Sequence, residues 1–431
     1  MKTTLRPALF TAIAAVGLLA AGCSGTPAQS AASDDAPLTI WLMAGGPGET
    51  DIIDDINATF AEEYPDVEVT VEVQQWDNIT TKLTTALASG NGPDIVEMGN
   101  TQTPLQTYSG GLLDITADRD SFEDSDTWLE GLAAPSEYDG KLYAVPMYGG
   151  TKIVMYNKAM FAEAGITELP QNLDELKDVC ARLSQTFGST PNFSGFYMPG
   201  QYWFSGAPFV FALDGELAAE DDGVWEGGLS TPEAQEGLAA WRDFQNSCST
   251  PSSVGVNTNN PDQAQVFADG GTAIISARGW EPASVVEKNP ELADQLGFMP
   301  MPGFETGTPL PVIVSGSTIG ISAATDNPEA AKAWLRIITG KEIQTRLVLE
   351  QNQLPITPAF MPESGATPFI EASVEASKYN KALPAVPGWA TLETERYNEQ
   401  FFSSIAAGDD TAAAAKTYDA HVADVLNSTG N

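Results

Sequence analysis

Histidine is nearly absent from this chain. Its 431 residues include a single one, His421, close to the carboxyl end. It falls in the expected last helix, far from every candidate loop, which argues against Ser–His and Cys–His nucleophile pairs as catalytic designs. Cysteine is scarce too, at three residues, and these form no His/Cys cluster with zinc-ligand spacing in the sequence. The calcium-loop pattern is missing, and no cofactor is expected. Basic residues number 20 against 58 acids, a formal net charge of -38. Such a balance lacks the basic stripes that neutralise phosphates, which argues against nucleic acid as a partner and against anionic substrates. It does not name a cationic ligand, because solvated acidic faces serve solubility. Beyond the amino terminus no apolar run is long enough to span a membrane. The Gly-rich AGGPGET of residues 44–50 is not a phosphate loop, since it lacks the Lys-Ser/Thr ending.

What is present begins with an export signal over residues 1–22. Lys2 and Arg6 supply its positive start, and Ala8 to Ala21 its apolar core. The run Leu19-Ala20-Ala21-Gly22-Cys23 resembles a bacterial lipobox, although Ala20 stands where Leu is usual. The alternative is a plain secretory signal beside an incidental cysteine. A lipidated Cys23 implies several acyl chains and hence a firm tether. Removal of the leader takes away two bases and no acid, so the mature chain is more negative still. Residues 23–37 follow as a Ser/Ala/Pro/Asp-rich leash without apolar period. With Cys23 carrying lipid, Cys180 and Cys248 remain in an oxidising compartment, and a disulfide between them is expected. Two free buried thiols are the alternative.

The chain is too long for one ordinary core, so two domains are expected. LTIWLM, from Leu38, suits a buried parallel strand. Thr50 is a cap for a helix with Ile52, Ile53, Ile56 and Phe60 on one face. Residues 67–73 alternate as a strand, Asp77 is a cap for the next helix, and residues 93–98 form another buried strand. Gly45 to Glu49 and Gly99 to Gln102 then emerge at carboxyl ends of strands, where open α/β sheets bind ligands. In the middle lies AVPMYGGTKIVMYNKAMFAEAG, residues 144–165. Pro146 and Gly149–Gly150 interrupt an apolar run, residues 152–156 read as a strand, and Asn157 caps a short helix closed by Gly165. This is either a passage between two α/β domains or a βαβ connection inside one. Asn172 and Glu175 make a capping-box pattern, residues 232–246 a helix, and Asn327-Pro328 another helix start. The tail from Thr411 is helical by composition.

Four stretches, in order, resemble one family. SGNGPDIVEMGN, VPMYGGTKIVMYNKAMFAEAG, ISARGWEP and SGSTIGISAATDNPEAAKAWLRIITG are similar to segments of the extracellular solute-binding proteins of carbohydrate ABC transporters, of the maltose- and trehalose-binding lipoprotein kind. The resemblance implies an α/β fold of two lobes, each a mostly parallel sheet flanked by helices, joined by a multi-strand hinge. It places residues 38–147 and 278–325 in the first lobe and residues 148–277 and 326–431 in the second. It implies a monomer, a carbohydrate ligand, permease subunits as partners, no nucleic acid, and contact with the outer face of the cytoplasmic membrane through the lipid only.

Aromatic residues at loop positions are the candidates for a sugar's flat C–H face: Trp76, Tyr148, Trp203, Trp280 and Trp389. The resemblance singles out Trp389 and Trp280 as stacking rings. For each ring the plain alternative is core packing, and Trp241 and Trp334, at helical spacing with other apolar residues, are expected in the core. Glu49, Asp77, Asn100 and Arg396 are the hydrogen-bonding candidates, with Gly316 beside them. Their alternatives are helix-terminus, capping, turn and ion-pair roles. The leading expectation is a lipid-anchored sugar receptor rather than an enzyme. The competing one is a secreted glycan-active enzyme with a carboxylate pair, which 58 acids permit by chance and no motif supports.

Overall fold

The computed structural model describes residues 36–45, 50–90 and 92–428. The leader, Cys23, the leash up to residue 35, and Glu49 lie outside the described residues. The strands, in chain order, are β1 (Leu38–Met43), β2 (Val69–Gln74), β3 (Ile95–Gly99), β4 (Glu137–Tyr138), β5 (Lys141–Leu142), β6 (Ala144–Gly150) and β7 (Ile153–Asn157). After them come β8 (Ala218–Asp221), β9 (Val224–Gly227), β10 (Ile274–Ala277), β11 (Leu296–Met299), β12 (Val312–Ile313), β13 (Ser315–Ile321) and β14 (Asn380–Lys381).

Two main sheets define the lobes. The first has the order β2-β1-β3-β13-β6, the second β10-β7-β11. In the first, β1 runs parallel to β2 and β3, as a buried apolar strand should. β13 is antiparallel to β3 and β6. Its register against β6 slips opposite Pro146, which has no N–H for the ladder. In the second sheet both β10 and β11 run antiparallel to β7, so the expectation of mostly parallel strands does not extend to this lobe. Parallel pairing in this lobe, among the described residues, consists of the short pair β12–β14 and of bridges from Ser194 to Thr272 and from Tyr197 to Ile275.

The sheets also correct the expected boundaries. β6 leads straight into β7, and this is the first passage between lobes. The second was expected at ISARGW, but β10 stays beside β7 and the chain turns into the helix Glu281–Lys288 and returns as β11 on the other edge of β7. Residues 278–313 therefore belong with the second sheet, and the return comes between β12 and β13. The helices Pro328–Thr339 and Lys341–Gln351 likewise pack on the first core, through Ala330, Trp334, Ile338 and Leu347. The chain goes back only before the helix Pro368–Ser377, whose Phe369 and Ile370 pack with Met155 of β7. On its way Leu354 exchanges backbone hydrogen bonds with Gly149, at 2.7 and 2.8 Å.

Local chemistry explains where several helices start. Asn157 Oδ1 accepts from the Met160 N–H at 3.1 Å, and Asn172 Oδ1 from the Glu175 N–H at 2.9 Å, while Glu175 takes the Gln171 N–H. Asn327 caps Pro328–Thr339 in the same way. Two caps shift by one residue: Asn78, in a left-handed conformation, occupies the position expected of Asp77, and Asp51 that of Thr50. Trp241 and Trp334 are fully enclosed, as expected of core residues. Cys180 and Cys248 are joined by a disulfide, on the helices Leu173–Phe187 and Pro232–Cys248.

One carboxylate ties the first sheet together. Glu97, on β3, is fully buried. It accepts from the Met43 N–H of β1 at 2.8 Å, from Tyr148 Oη of β6 at 2.6 Å and from Ser317 Oγ of β13 at 2.5 Å. Burial pushes its pKa up, and these three donors partly offset that.

Candidate functional site

The three parallel strands of the first sheet end on one edge, and the chain leaves them at residues 44–45, 75–78 and 100–102. Facing this edge is the loop after β10, residues 278–280. Trp76 and Trp280 occupy these loops, and both are exposed, at 41% and 43%. Trp76 donates its indole N–H to the Ala44 carbonyl at 3.1 Å, which fixes the ring beside the end of β1. Trp280 is held by the Arg278 guanidinium, 4.4 Å from the ring centroid. The end of the helix Lys341–Gln351 touches both sides. Gln351 Nε2 donates to Thr50 Oγ1 at 3.1 Å, and Asn352 Nδ2 to the Gly279 carbonyl at 3.2 Å. Gly279 permits this approach, because a Cβ there would stand 2.6 Å from the Asn352 carbonyl oxygen.

The other sequence candidates fall elsewhere. Trp389 is completely enclosed in the second core, edge-on to Trp203 at 6.2 Å. Trp203, 4% exposed, stacks on Phe204 at 4.0 Å. Neither ring has a free face, so both expectations of stacking are corrected. The Pro387-Gly388 break that suggested an exposed Trp389 instead begins the helix Pro387–Thr394, which turns the ring inward. Tyr148 is buried, its hydroxyl committed to Glu97. Asn100 and Gly316 hold each other. The Asn100 N–H reaches the Gly316 carbonyl at 2.9 Å and the Asn100 amide donates to the Gly131 carbonyl at 2.9 Å. A Cβ on Gly316 would lie 2.1 Å from the Tyr148 carbonyl oxygen, so this residue permits strand contact rather than ligand contact. Asp77 is exposed and accepts from Asn78 Nδ2 at 2.9 Å. Arg396 is exposed and engaged with Glu399 and, at 3.1 Å, with Gln201.

A polar cluster that sequence reasoning passed over lies between the lobes. Lys152, just after β6, donates to Ser315 Oγ at the start of β13, so it joins two of the passages. Its ammonium sits 4.0 Å from the Phe204 ring centroid. Burial lowers its pKa to about 7, the nearby Arg278 acts in the same direction, and Glu281 and Glu393 oppose them. Glu393, in the helix Pro387–Thr394, accepts from Thr101 Oγ1 of the first lobe at 2.8 Å. Burial raises this carboxyl to about 7 against the effect of Thr101. Arg278 pairs with the buried Glu281 at 2.7 Å, and Gln263 also donates to that carboxylate. Burial works against the Arg278 charge, and Glu281 outweighs it, holding the guanidinium firmly protonated. The signals were slight: Lys152 stood inside a motif quoted for its glycines, and Thr101 beside Asn100. No group of three or more potential metal ligands occurs among the described residues.

Residues 46–345 match the model of the family described as Bacterial extracellular solute-binding protein, and the chain belongs to this family. It is 30% identical over 383 residues to the diacetylchitobiose binding protein DasA of Streptomyces coelicolor, covering 88% of this chain and 87% of that one. It is 23% identical to the galactooligosaccharide-binding protein of Bacillus subtilis over 90% of this chain and 89% of the other. Its fold is similar to that of the GacH receptor of Streptomyces glaucescens, solved unliganded and with acarbose, at a TM-score of 0.78 and 20% identity, covering 91% and 98% of the two chains. A solute-binding protein of Thermotoga lettingae bound with α-D-tagatose superposes at 0.76 with 21% identity, covering 91% and 100%. The protein is a carbohydrate-binding component of an ABC transporter and not an enzyme. The glycan-active alternative is thereby overturned.

Proposed function

We propose that this protein captures a mono- or oligosaccharide in the cleft between its lobes, by ring stacking and hydrogen bonds, and closes over it. The observation that carries this reading is the pair of exposed, anchored indoles, Trp76 and Trp280, on opposite lobes at the loop edge of the first sheet. A sugar face against one such ring removes roughly 60–100 Å² of apolar surface from water, about 1.5–2.5 kcal/mol. A micromolar receptor needs about 8 kcal/mol in all, so hydrogen bonds and contacts made to both lobes at once supply the rest. The 30% identity to a protein named for diacetylchitobiose binding supports an oligosaccharide as ligand. The receptor acts as a monomer, tethered through a lipidated Cys23 to the outer face of the cytoplasmic membrane, and delivers its sugar to the permease subunits. Calorimetry against a panel of mono- and oligosaccharides tests the reading: stoichiometric binding without products is expected, and no binding to any sugar would end it. Mass spectrometry of membrane-extracted protein should find a diacylated Cys23 at the amino terminus, and a soluble product cleaved elsewhere would remove the anchor.

A further inference from the structure

We infer that closing the lobes over the sugar takes up a proton at Glu393, so that the receptor holds its ligand more tightly at pH 6 than at pH 8. The inference rests on the closure proposed above and adds its regulation. Glu393 is half-buried in the helix Pro387–Thr394 of the second lobe, and that helix packs on the helix Thr103–Tyr108 of the first. The bond across the seam is the 2.8 Å one from Thr101 Oγ1, and Thr101 is itself buried. The first lobe thus meets this carboxyl with a neutral hydroxyl and an enclosing wall. Enclosure disfavours a carboxylate unless a countercharge replaces the water it loses. A hydroxyl is no countercharge. It donates to the carboxylate and accepts from the carboxylic acid, so the bond exists in both states and only the buried charge differs.

The charges on the other side belong to the second lobe. Lys152 favours the Glu393 anion, and Glu399, held by Arg396, opposes it. Lys152 in turn lies over Phe204 and faces Arg278 and Glu281. A rigid-body opening leaves these groups around Glu393 and takes away Thr101 and the helix behind it. In the arrangement seen here burial is the largest influence on the Glu393 carboxyl and holds it at about 7, with Thr101 acting against it. Parting the lobes readmits water and returns the group toward the ordinary 4.5. The closed form therefore binds more protons than the open one between these values. Closure gains as pH falls from 7 toward 4.5, and the gain is lost as pH rises through 7. Two other titratable groups keep their partners on closure: Glu97 holds its three donors inside the first sheet, and His421 pairs with Glu395 and Tyr397 within the second lobe.

The experiment is calorimetric titration of the full chain with N,N′-diacetylchitobiose, cellobiose and maltotriose, in pairs of buffers of different ionisation enthalpy, which counts the protons taken up with the sugar. About half a proton per sugar is expected at pH 7 and close to none at pH 9, with affinity about tenfold higher at pH 6 than at pH 8. Glu393→Gln imitates the protonated acid. It should abolish the uptake and bind at pH 8 about as tightly as the wild type does at pH 6. Thr101→Val takes from the closed form a donor that favours the anion, so its uptake should move to higher pH. Binding without proton uptake between pH 6 and 8, or uptake that persists in Glu393→Gln, would overturn the coupling and leave the receptor reading standing. Uptake at an unchanged pH in Thr101→Val would do the same, because the sugar and not the seam would then be titrating the carboxyl. Failure of every sugar to bind the wild type at any pH would remove both.

Discussion

Thr101 Oγ1 of the first lobe donates a 2.8 Å hydrogen bond to Glu393 Oε2 of the second. Each residue stands at the end of an element that packs in its own lobe, so the bond bridges the seam without sugar. Thr101→Val removes the donor and keeps the shape. A typical hydrogen bond contributes about 1 kcal/mol net, so the closed-to-open ratio of the free protein should fall about fivefold. Small-angle scattering of the ligand-free variant should show a larger radius of gyration than wild type.

The same seam has a pH dependence of two signs. The Glu393 carboxyl, raised from 4.5 to about 7, binds its proton more tightly in the folded state. Its contribution to stability is complete below about 4.5 and is lost as pH rises through 7. The Lys152 ammonium is lowered from 10.5 to about 7, so the folded state bears a buried charge below 7 that the unfolded chain solvates. That cost disappears as pH rises from 7 toward 10.5. Facing these groups are Arg278 and Glu281 around Lys152, and Glu399 near Glu393. Urea unfolding at pH 5, 7 and 9 should show Glu393→Gln losing the decline between the first two points. Lys152→Met should lose the rise between the last two.

Trp389 and Trp280 should respond oppositely to truncation. Trp389→Ala empties an enclosed site and should cost about 3–5 kcal/mol of stability. Trp280→Ala removes an exposed ring and should leave the melting temperature near wild type while weakening sugar binding about tenfold. Differential scanning calorimetry and titration calorimetry on the same two variants check the pair.

The Cys180–Cys248 bond closes a loop of 68 residues, with the Cα atoms 5.2 Å apart. Loop closure of this length restricts the unfolded chain by about 4 kcal/mol. The double Cys→Ala variant, or wild type held reduced, should unfold at correspondingly lower denaturant concentration. Thiol titration of the denatured, unreduced protein should find neither of these two cysteines free.

The parts of the fold that were legible in the sequence are those governed by neighbours in the chain. Asn157, Asn172 and Asn327 cap where they were expected to, because a cap needs only a side-chain oxygen and an N–H two or three residues on. The disulfide followed from two cysteines and a compartment. The passages between lobes were less legible. ISARGW ends a buried strand with a glycine, which a turn within one lobe requires as much as a passage between two, and only the pairing of β11 with β7 distinguishes them. The site was the least legible. Whether Trp389 or Trp280 keeps a free face depends on what packs over the ring, and Trp203, 186 positions earlier in the chain, covers the first. Lys152, Arg278 and Glu393 each look like ordinary surface charges when read singly. Their meeting is tertiary.

Glu97 clamps β1, β6 and β13 to β3 through one buried carboxylate, and β6 and β13 are the strands from which two of the passages depart. Torque applied at the lobe seam has no slack to take up inside this sheet. On the proposed closure the first lobe would turn as a lever arm, with the bending falling on the three passages, at residues 150–153, 313–315 and 352–367. A substitution that alters those torsions would then change how far the lobes swing, and one buried beside Glu97 how faithfully the swing is transmitted.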